Sequence, residues 1–144
     1  MTSIWIAPAS IKNMEYSIYN RYRVQYNPEE PYIKEYIWAF NAKRLNSWNE
    51  LKFGDIIIFG SNKKGCGWTR CAVVKNKFIF TNEDDNWPFK SPSGTSWKYA
   101  FTLYKPKHIL ITPEQMKQII GHNGFQTQTK TKPLVRDQLL RLIQ

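Results

Sequence analysis

The sequence predicts an α+β domain in which helices flank a curved, barrel-like and mostly antiparallel sheet. Short segments rich in β-branched and aromatic residues recur along the chain between turn residues. Patterns with helical spacing occur near both ends, and 144 residues suffice for one domain with a substantial core. We assign that domain to residues 1–120, followed by a flexible segment and a C-terminal helix at 121–144.

The N-terminal part is expected to contain the first strand and the first helix. Residues 3–7 read SIWIA, with Trp5 between two isoleucines. Ser10 is a candidate N-cap for a helix through residues 11–26, because apolar residues recur there at spacings of three and four. The prolines of the PEEP stretch at 28–31 would end that helix.

The second strand is predicted at residues 35–40, and a single helical turn beginning at Asn46 or Ser47 follows it. That turn ends before the Phe-Gly-Asp sequence at 53–55. The continuous apolar run DIIIF at 55–59 is typical of a strand in the middle of a sheet.

The centre of the chain reads as a meander of strands. Residues 68–74 are predicted to pair back as a hairpin arm, and Asn76-Lys77 to turn the chain into a further strand. A loop follows at 82–95, and the alternating segment at 96–105 is the clearest strand pattern. Residues 108–111 add a short strand.

The C-terminal third shows strong helix signals. Thr112, Pro113 and Gln115 supply an N-cap, a first-turn proline and a capping-box partner, and Gly121 ends the helix. A last amphipathic helix is expected at 134–143, with Leu139, Leu142 and Ile143 on one face.

Charge and aromatic content indicate the class of partner. The formal net charge is +10, and aromatic residues make up 15% of the chain, including six tryptophans. A strongly basic protein favours polyanions, because each phosphate contact releases condensed counterions. Aromatic side chains beside cations are what a base-stacking surface needs. The alternative is a basic protein whose tryptophans only fill its core.

Other patterns argue for an intracellular, soluble protein, cytoplasmic or nuclear. The first residues lack the pattern of a signal peptide, and no segment has the apolar length of a membrane span. Two cysteines do not imply a disulfide framework, so we expect reduced thiols.

Catalytic and metal sites are weakly supported, and we expect neither a metal nor another cofactor. Three consecutive acids at 83–85 could bind a metal but are more typical of a solvated loop. A nuclease using Asp55 would need acids on the next strand, and none is there. The spacings of Cys66 with Cys71 and of His108 with His122 do not suit a compact zinc site.

Two tryptophans occupy unusual positions. Trp38 stands at the end of a predicted strand before a basic segment, and Trp87 lies in the long loop among polar and turn residues. Each either caps the core or faces a ligand. In the second case Trp38→Ala should leave the fold intact, unlike Trp5→Ala.

Three segments, IWAFNAKRL, DIIIFGSNKKGCGWTRCAVV and NWPFKSPSGTSWKYAFTLYK, resemble in their order the PUA-like superfold. The chain is most similar to the EVE and YTH branches across residues 35–111. EVE-like domains also resemble the modified-base readers of Mcr-type restriction GTPases.

The resemblance implies a nucleic-acid-binding module that captures a flipped, methylated base in an aromatic cage. Trp38 and Trp87 match the cage tryptophans, Phe89 or Trp97 is the further wall, and Asn41 is the candidate hydrogen-bonding residue. Phe40 and Trp68 complete the candidate base-binding set. The candidate contacts to the nucleic-acid backbone are Lys43, Arg44, Lys63, Lys64, Arg70, Lys90 and Lys98.

We therefore expect a DNA or RNA partner carrying N6-methyladenine or a methylated cytosine, and a separate effector enzyme for any cleavage or signalling. A small enzyme acting on a nucleobase or nucleotide is the first alternative. The second is a basic protein-interaction domain.

Overall fold

The computed structural model describes residues 2–40, 43–79 and 99–144. We number the strands and the helices of these residues separately, each in chain order. The strands are β1 (Ile4–Pro8), β2 (Tyr22–Val24), β3 (Ile33–Phe40), β4 (Ile56–Ser61), β5 (Gly67–Ile79), β6 (Tyr99–Leu103), β7 (Lys107–Ile111) and β8 (Thr129–Lys130). The helices are α1 (Ile11–Tyr16), α2 (Leu45–Glu50), α3 (Pro113–Ile120) and α4 (Pro133–Ile143). None of these described helices has the length and apolar composition needed to cross a lipid bilayer.

The described strands form one curved sheet in the order β2-β3-β6-β5-β4-β1-β8, with β7 paired to β5 outside that path. Only β1 and β4 run parallel among these described pairs. The first part of β5 pairs with β4 and β7 and its second part pairs with β6, so this long strand carries the bend. The sheet is not closed, since β2 and β8 form its two edges in the described chain. The predicted fold class is confirmed.

Two apolar clusters cover the two faces of the sheet, as strand alternation requires. One face contributes Trp5, Phe40, Phe59 and Phe101 to the larger cluster. The neighbouring residues of β1 and β4 point the other way and pack with α3 and α4. These residues are Ile4, Ile6, Ile58, Met116 and Leu139.

The helix caps agree with the sequence prediction. The Ser10 hydroxyl accepts from the backbone N–H of Asn13 and begins α1. Thr112 and Gln115 form the predicted capping box of α3, which ends at Gly121 in the left-handed conformation. Helix α2 begins at Leu45, one residue before the first position predicted for it.

The predicted helix through residues 11–26 is wrong beyond Tyr16. Ser17 is buried, and its hydroxyl donates to the carbonyl of Ile37. Residues Tyr22–Val24 then form β2, which pairs antiparallel with β3. The pairing of β2 with β3 therefore outweighs the local helical spacing of the apolar residues.

The predicted turn at Asn76-Lys77 is also wrong, because β5 continues through both residues. The register on β6 shifts between Val74 and Asn76, which is how a β-bulge absorbs an extra residue. The loop predicted at 82–95 lies outside the described residues.

The segment after Gly121 is tied to the sheet at its end. Thr129–Lys130 pair with β1, and the buried Thr131 hydroxyl donates to the Ile4 carbonyl at 2.7 Å. Helix α4 buries Leu139 and Ile143, whereas Leu142, predicted on the same face, is exposed.

Candidate nucleic-acid interface

Trp38 lies inside the apolar cluster at the end of β3. Its side chain is 7% exposed, and its ring meets that of Phe59 edge-on with centroids 5.0 Å apart. Its cross-strand partner on β6 is Phe101. Such packing holds the indole in one orientation, and it also makes Trp38 part of the core.

The other described aromatic candidates are more deeply buried. Phe40 is 1% exposed and lies between Trp5 and Phe101, with centroid distances of 5.9 and 5.5 Å. Trp68 is likewise 1% exposed, in the cluster on the other face, and its indole N–H donates to Asn62 at 2.7 Å. The structure thus places Phe40 and Trp68 in packing positions. Asn41, Trp87, Phe89, Lys90, Trp97 and Lys98 lie outside the described residues.

Arg44 is fixed beside the end of β3. Its Nη2 donates to the Gln128 carbonyl at 2.9 Å, and the Gln128 side-chain amide donates to the Ala39 carbonyl at 3.2 Å. Within the described part of the chain, the buried Nε–H of Arg44 has no acceptor. A buried donor without an acceptor carries a desolvation cost, which a bound phosphate or base oxygen would remove. Lys43 next to it is exposed.

Trp48 of α2 forms a second aromatic and cationic contact at this strand end. Its indole N–H donates to the carbonyl of Ala100, the cross-strand partner of Ala39, at 2.8 Å. The Lys77 ammonium lies 4.7 Å from the centre of the Trp48 ring and donates to the Trp48 carbonyl at 2.9 Å. Burial lowers the pKa of Lys77, and the Asp55 carboxylate opposes that shift.

We call Trp38, Lys43, Arg44, Trp48 and Gln128 the β3-end site. Ala39 and Ala100 are paired across β3 and β6. Gln128 donates to the Ala39 carbonyl and Trp48 to the Ala100 carbonyl, so these two side chains reach neighbouring points of the sheet. Sequence reasoning missed Trp48 and Gln128. Trp48 stands in a predicted helical turn before a basic-aromatic segment, which was the available signal, but nothing local marks Gln128.

The remaining described cations of the sequence prediction lie on β5 and the turn before it. Lys63 and Lys64 are exposed in the turn between β4 and β5. Lys63 lines a cleft of about 320 Å³ with Asn62, Phe125 and Gln126. Arg70 stacks on the ring of Tyr19, with its guanidinium carbon 4.5 Å from the ring centre.

Several acids of the described chain are already engaged within the fold. The buried Glu35 pairs with Lys75 at 2.8 Å, and Glu50 with Lys130 at 3.7 Å. Asp55 is buried and accepts from the Trp5 indole and from two backbone N–H groups. That role of Asp55 is structural. Glu35 and Asp55 are therefore buried away from a ligand, whereas the Glu50–Lys130 pair lies at the surface.

The cysteines and histidines do not assemble into a metal site in the described chain. Cys66 and Cys71 are free thiols, and burial raises the pKa of Cys71 while Lys107 opposes the shift. No group of three or more His, Cys, Asp or Glu side chains with metal-binding geometry occurs among the described residues.

Solved structures share this fold over nearly the whole chain. The N-terminal domain of Thermococcus gammatolerans McrB, solved bound to m5C DNA, matches with a TM-score of 0.62 at 14% identity, covering 99% of this chain and 100% of that one. ASCH from Zymomonas mobilis matches with a TM-score of 0.60 at 12% identity, covering 96% of this chain and 94% of that one. A hypothetical protein from Leishmania major matches with a TM-score of 0.54 at 14% identity, covering 98% and 94%.

These likenesses define the class of protein by its fold. The chain has the PUA-like fold, shared with ASCH domains and with the McrB N-terminal domain. No protein-family model matches the sequence, and no curated protein matches it. The closer similarity to EVE and YTH domains stays a prediction.

Proposed function

We propose that this protein binds nucleic acid and reads a modified base at the β3-end site. The observation that carries the proposal is the arrangement of Arg44: a cation anchored by Gln128 at the strand end that holds Trp38, with a buried N–H that has no acceptor in the described chain. An acceptor-rich ligand fits that arrangement, and phosphate oxygens and base carbonyls are such acceptors.

The charge of the protein supports a polyanionic ligand. The net charge of +10 would release counterions from a phosphate backbone. Glu35 and Asp55 are buried, where Glu35 pairs with Lys75 and Asp55 accepts N–H groups, so neither carboxylate faces a ligand at the surface. The exposed Lys43 beside Arg44 adds to the field at the same strand end.

The fold supports the finer proposal of a modified base. The McrB N-terminal domain, which has this fold, was solved bound to m5C DNA. At 14% identity the residues by which that domain binds DNA cannot be assigned to positions of this chain, so we take our candidates from this chain's own aromatic residues. Trp38, held by Phe59, is our candidate for one wall, and Trp87 is our candidate for the other.

The energetics allow discrimination at such a site. Extruding a base costs a few kcal/mol, and stacking on an aromatic ring returns roughly 1–3 kcal/mol. Burying one methyl group adds about 0.8 kcal/mol, which is close to a fourfold change in affinity. A dry aromatic site can therefore prefer a methylated base over its unmodified counterpart.

The test compares oligonucleotides that differ at one base: N6-methyladenine or 5-methylcytosine against the unmodified base, in single-stranded and duplex DNA and in RNA. Arg44→Ala should weaken the binding of every oligonucleotide, because it removes a contact to a phosphate or base oxygen. Arg141→Ala is the matched control, since Arg141 is exposed on α4 and carries the same charge.

Trp38→Leu separates stacking from packing, because leucine keeps apolar volume without an aromatic face. It should abolish the preference for the modified base and leave salt-sensitive binding. Wild-type protein that binds no oligonucleotide would overturn the proposal. Binding with no preference for the modified base would contradict only the modified-base part of the proposal.

A further inference from the structure

A second cationic and aromatic surface lies at the start of β5, away from the residues of the β3-end site in the sequence. Arg70 is paired with His108 of β7 and packs its guanidinium on the Tyr19 ring at 4.5 Å. Tyr19 follows α1 and is 38% exposed. Arg70 is partly exposed beside it.

Two clefts meet at this Arg70–Tyr19 pair and differ in character. The first, of about 220 Å³, is lined largely by apolar groups, including Ile11 and Met14. The second, of about 180 Å³, brings Arg70 together with Lys105, His108 and Tyr36. Both clefts include Tyr19 and Arg70, so these two side chains form the wall between them.

The charge around the clefts is of one sign. The residues that line them in the described chain include no carboxylate. The ion pairs among the described residues involve Lys75, Lys130 and Arg136. Neither Arg70 nor Lys105 takes part in one of these pairs. An apolar cleft adjoining a cationic one matches the two parts of a nucleotide, a flat base and a phosphate.

We propose that these clefts bind one unstacked nucleotide of a nucleic-acid strand, as a site additional to the β3-end site. The base occupies the apolar cleft against Tyr19 and Arg70, since aromatic rings and guanidinium planes are both surfaces on which bases stack. The phosphate occupies the cationic cleft, between Arg70 and Lys105. The inference rests on the proposed nucleic-acid function. It adds a second contact, in which another nucleotide of the same strand binds outside the β3-end site.

The geometry also favours a single strand over a duplex. A base that is paired and stacked cannot enter a cleft lined by Ile11, Met14 and Tyr19, because its faces are already covered. The clefts should therefore contribute to binding of a single strand and contribute little to binding of an unmodified duplex. This distinguishes them from a surface that offers only positive charge.

The experiment measures the affinity of a fluorescent, unmodified single-stranded oligonucleotide across a salt series. Tyr19→Ala should weaken binding roughly fivefold to a hundredfold, the equivalent of one stacked base. Tyr19→Phe keeps the ring and should bind as wild type does. Arg70→Ala should weaken binding and lower the salt slope by about one, while Arg141→Ala provides the control for loss of one surface charge.

Arg70→Lys tests charge against planarity. It should restore the salt slope but only part of the affinity, because an ammonium lacks the flat guanidinium face. Thermal melts establish that each variant is folded before its affinity is compared.

The two proposals fail in different ways. If wild-type protein prefers a modified base but Tyr19→Ala and Arg70→Ala bind as Arg141→Ala does, the clefts are not a nucleotide site and the β3-end proposal stands. If Tyr19→Ala and Arg70→Ala lose as much affinity for duplexes as for single strands, the cleft proposal is also overturned. If wild-type protein binds no nucleic acid, both proposals fall.

Discussion

Replacing Trp38 by alanine tests how far this tryptophan belongs to the core. Trp38 is 7% exposed and packs on Phe59, and Trp5 is 2% exposed and also donates a hydrogen bond to Asp55 at 3.1 Å. Truncating a buried tryptophan costs about 3–5 kcal/mol. We expect Trp38→Ala to fall near the lower end of that range.

Trp5→Ala should cost more, because it removes one donor from a buried carboxylate in addition to the packing. A hydrogen bond to a charged group contributes about 1.5–3 kcal/mol, so the two variants should differ by roughly that amount. Trp38→Leu, which fills most of the space, should cost less than either.

Urea unfolding followed by tryptophan fluorescence and circular dichroism gives the free energies. With slopes of about 1–3 kcal/mol per molar urea, Trp38→Ala should lower the midpoint by at least about 1 M. A loss below about 1 kcal/mol would show that the Trp38 side chain is not packed as described. The sequence-based expectation that Trp38→Ala leaves the fold intact would then be the better one.

Three further predictions concern the fold. Asp55→Ala should destabilise the protein by about 3 kcal/mol or more in urea, because three N–H groups lose a charged acceptor; a loss under about 1 kcal/mol would contradict that role. The hydrogen bond to Glu35 raises the pKa of Lys75 above the ordinary lysine value of 10.5. The ion pair therefore contributes its full stabilisation below pH 10.5, where the lysine is charged in both the folded and the unfolded state. The contribution is lost as the pH rises through the raised pKa of Lys75 in the folded protein. The gap in urea midpoint between wild type and Glu35→Gln should therefore shrink in that alkaline range, and a constant gap would refute the linkage. Thr112→Ala should lower the free energy of unfolding by about 1 kcal/mol through loss of the capping box, and an unchanged melting temperature would contradict it.

Local chemistry explains which elements could be predicted from the sequence. The capping box at Thr112 and the apolar run in β4 depend on neighbouring residues alone, and both were predicted. The segment at Tyr22–Val24 has helical spacing, but it forms a strand because β3 offers it an edge. The turn expected at Asn76 is replaced by a bulge, since pairing with β6 continues past it.

The candidate site likewise combines a residue that its neighbours in the sequence mark with residues that only the fold brings together. Arg44 was predicted because it follows a strand-end tryptophan in the sequence. Its anchor Gln128 was not, because the two are joined only when β8 docks on β1. Tyr19 and Arg70 are likewise distant in the sequence, and only the packing of the segment after α1 against β5 brings them together.

The most direct test of the central claim is the ratio of dissociation constants for two oligonucleotides that are identical except for one methylated base, measured across a salt series. We predict tighter binding to the methylated oligonucleotide, about fourfold or more from burial of the methyl group, on top of affinities that fall steeply with salt for both. Equal affinities for every modified and unmodified pair, or binding that does not change with salt, would contradict the account.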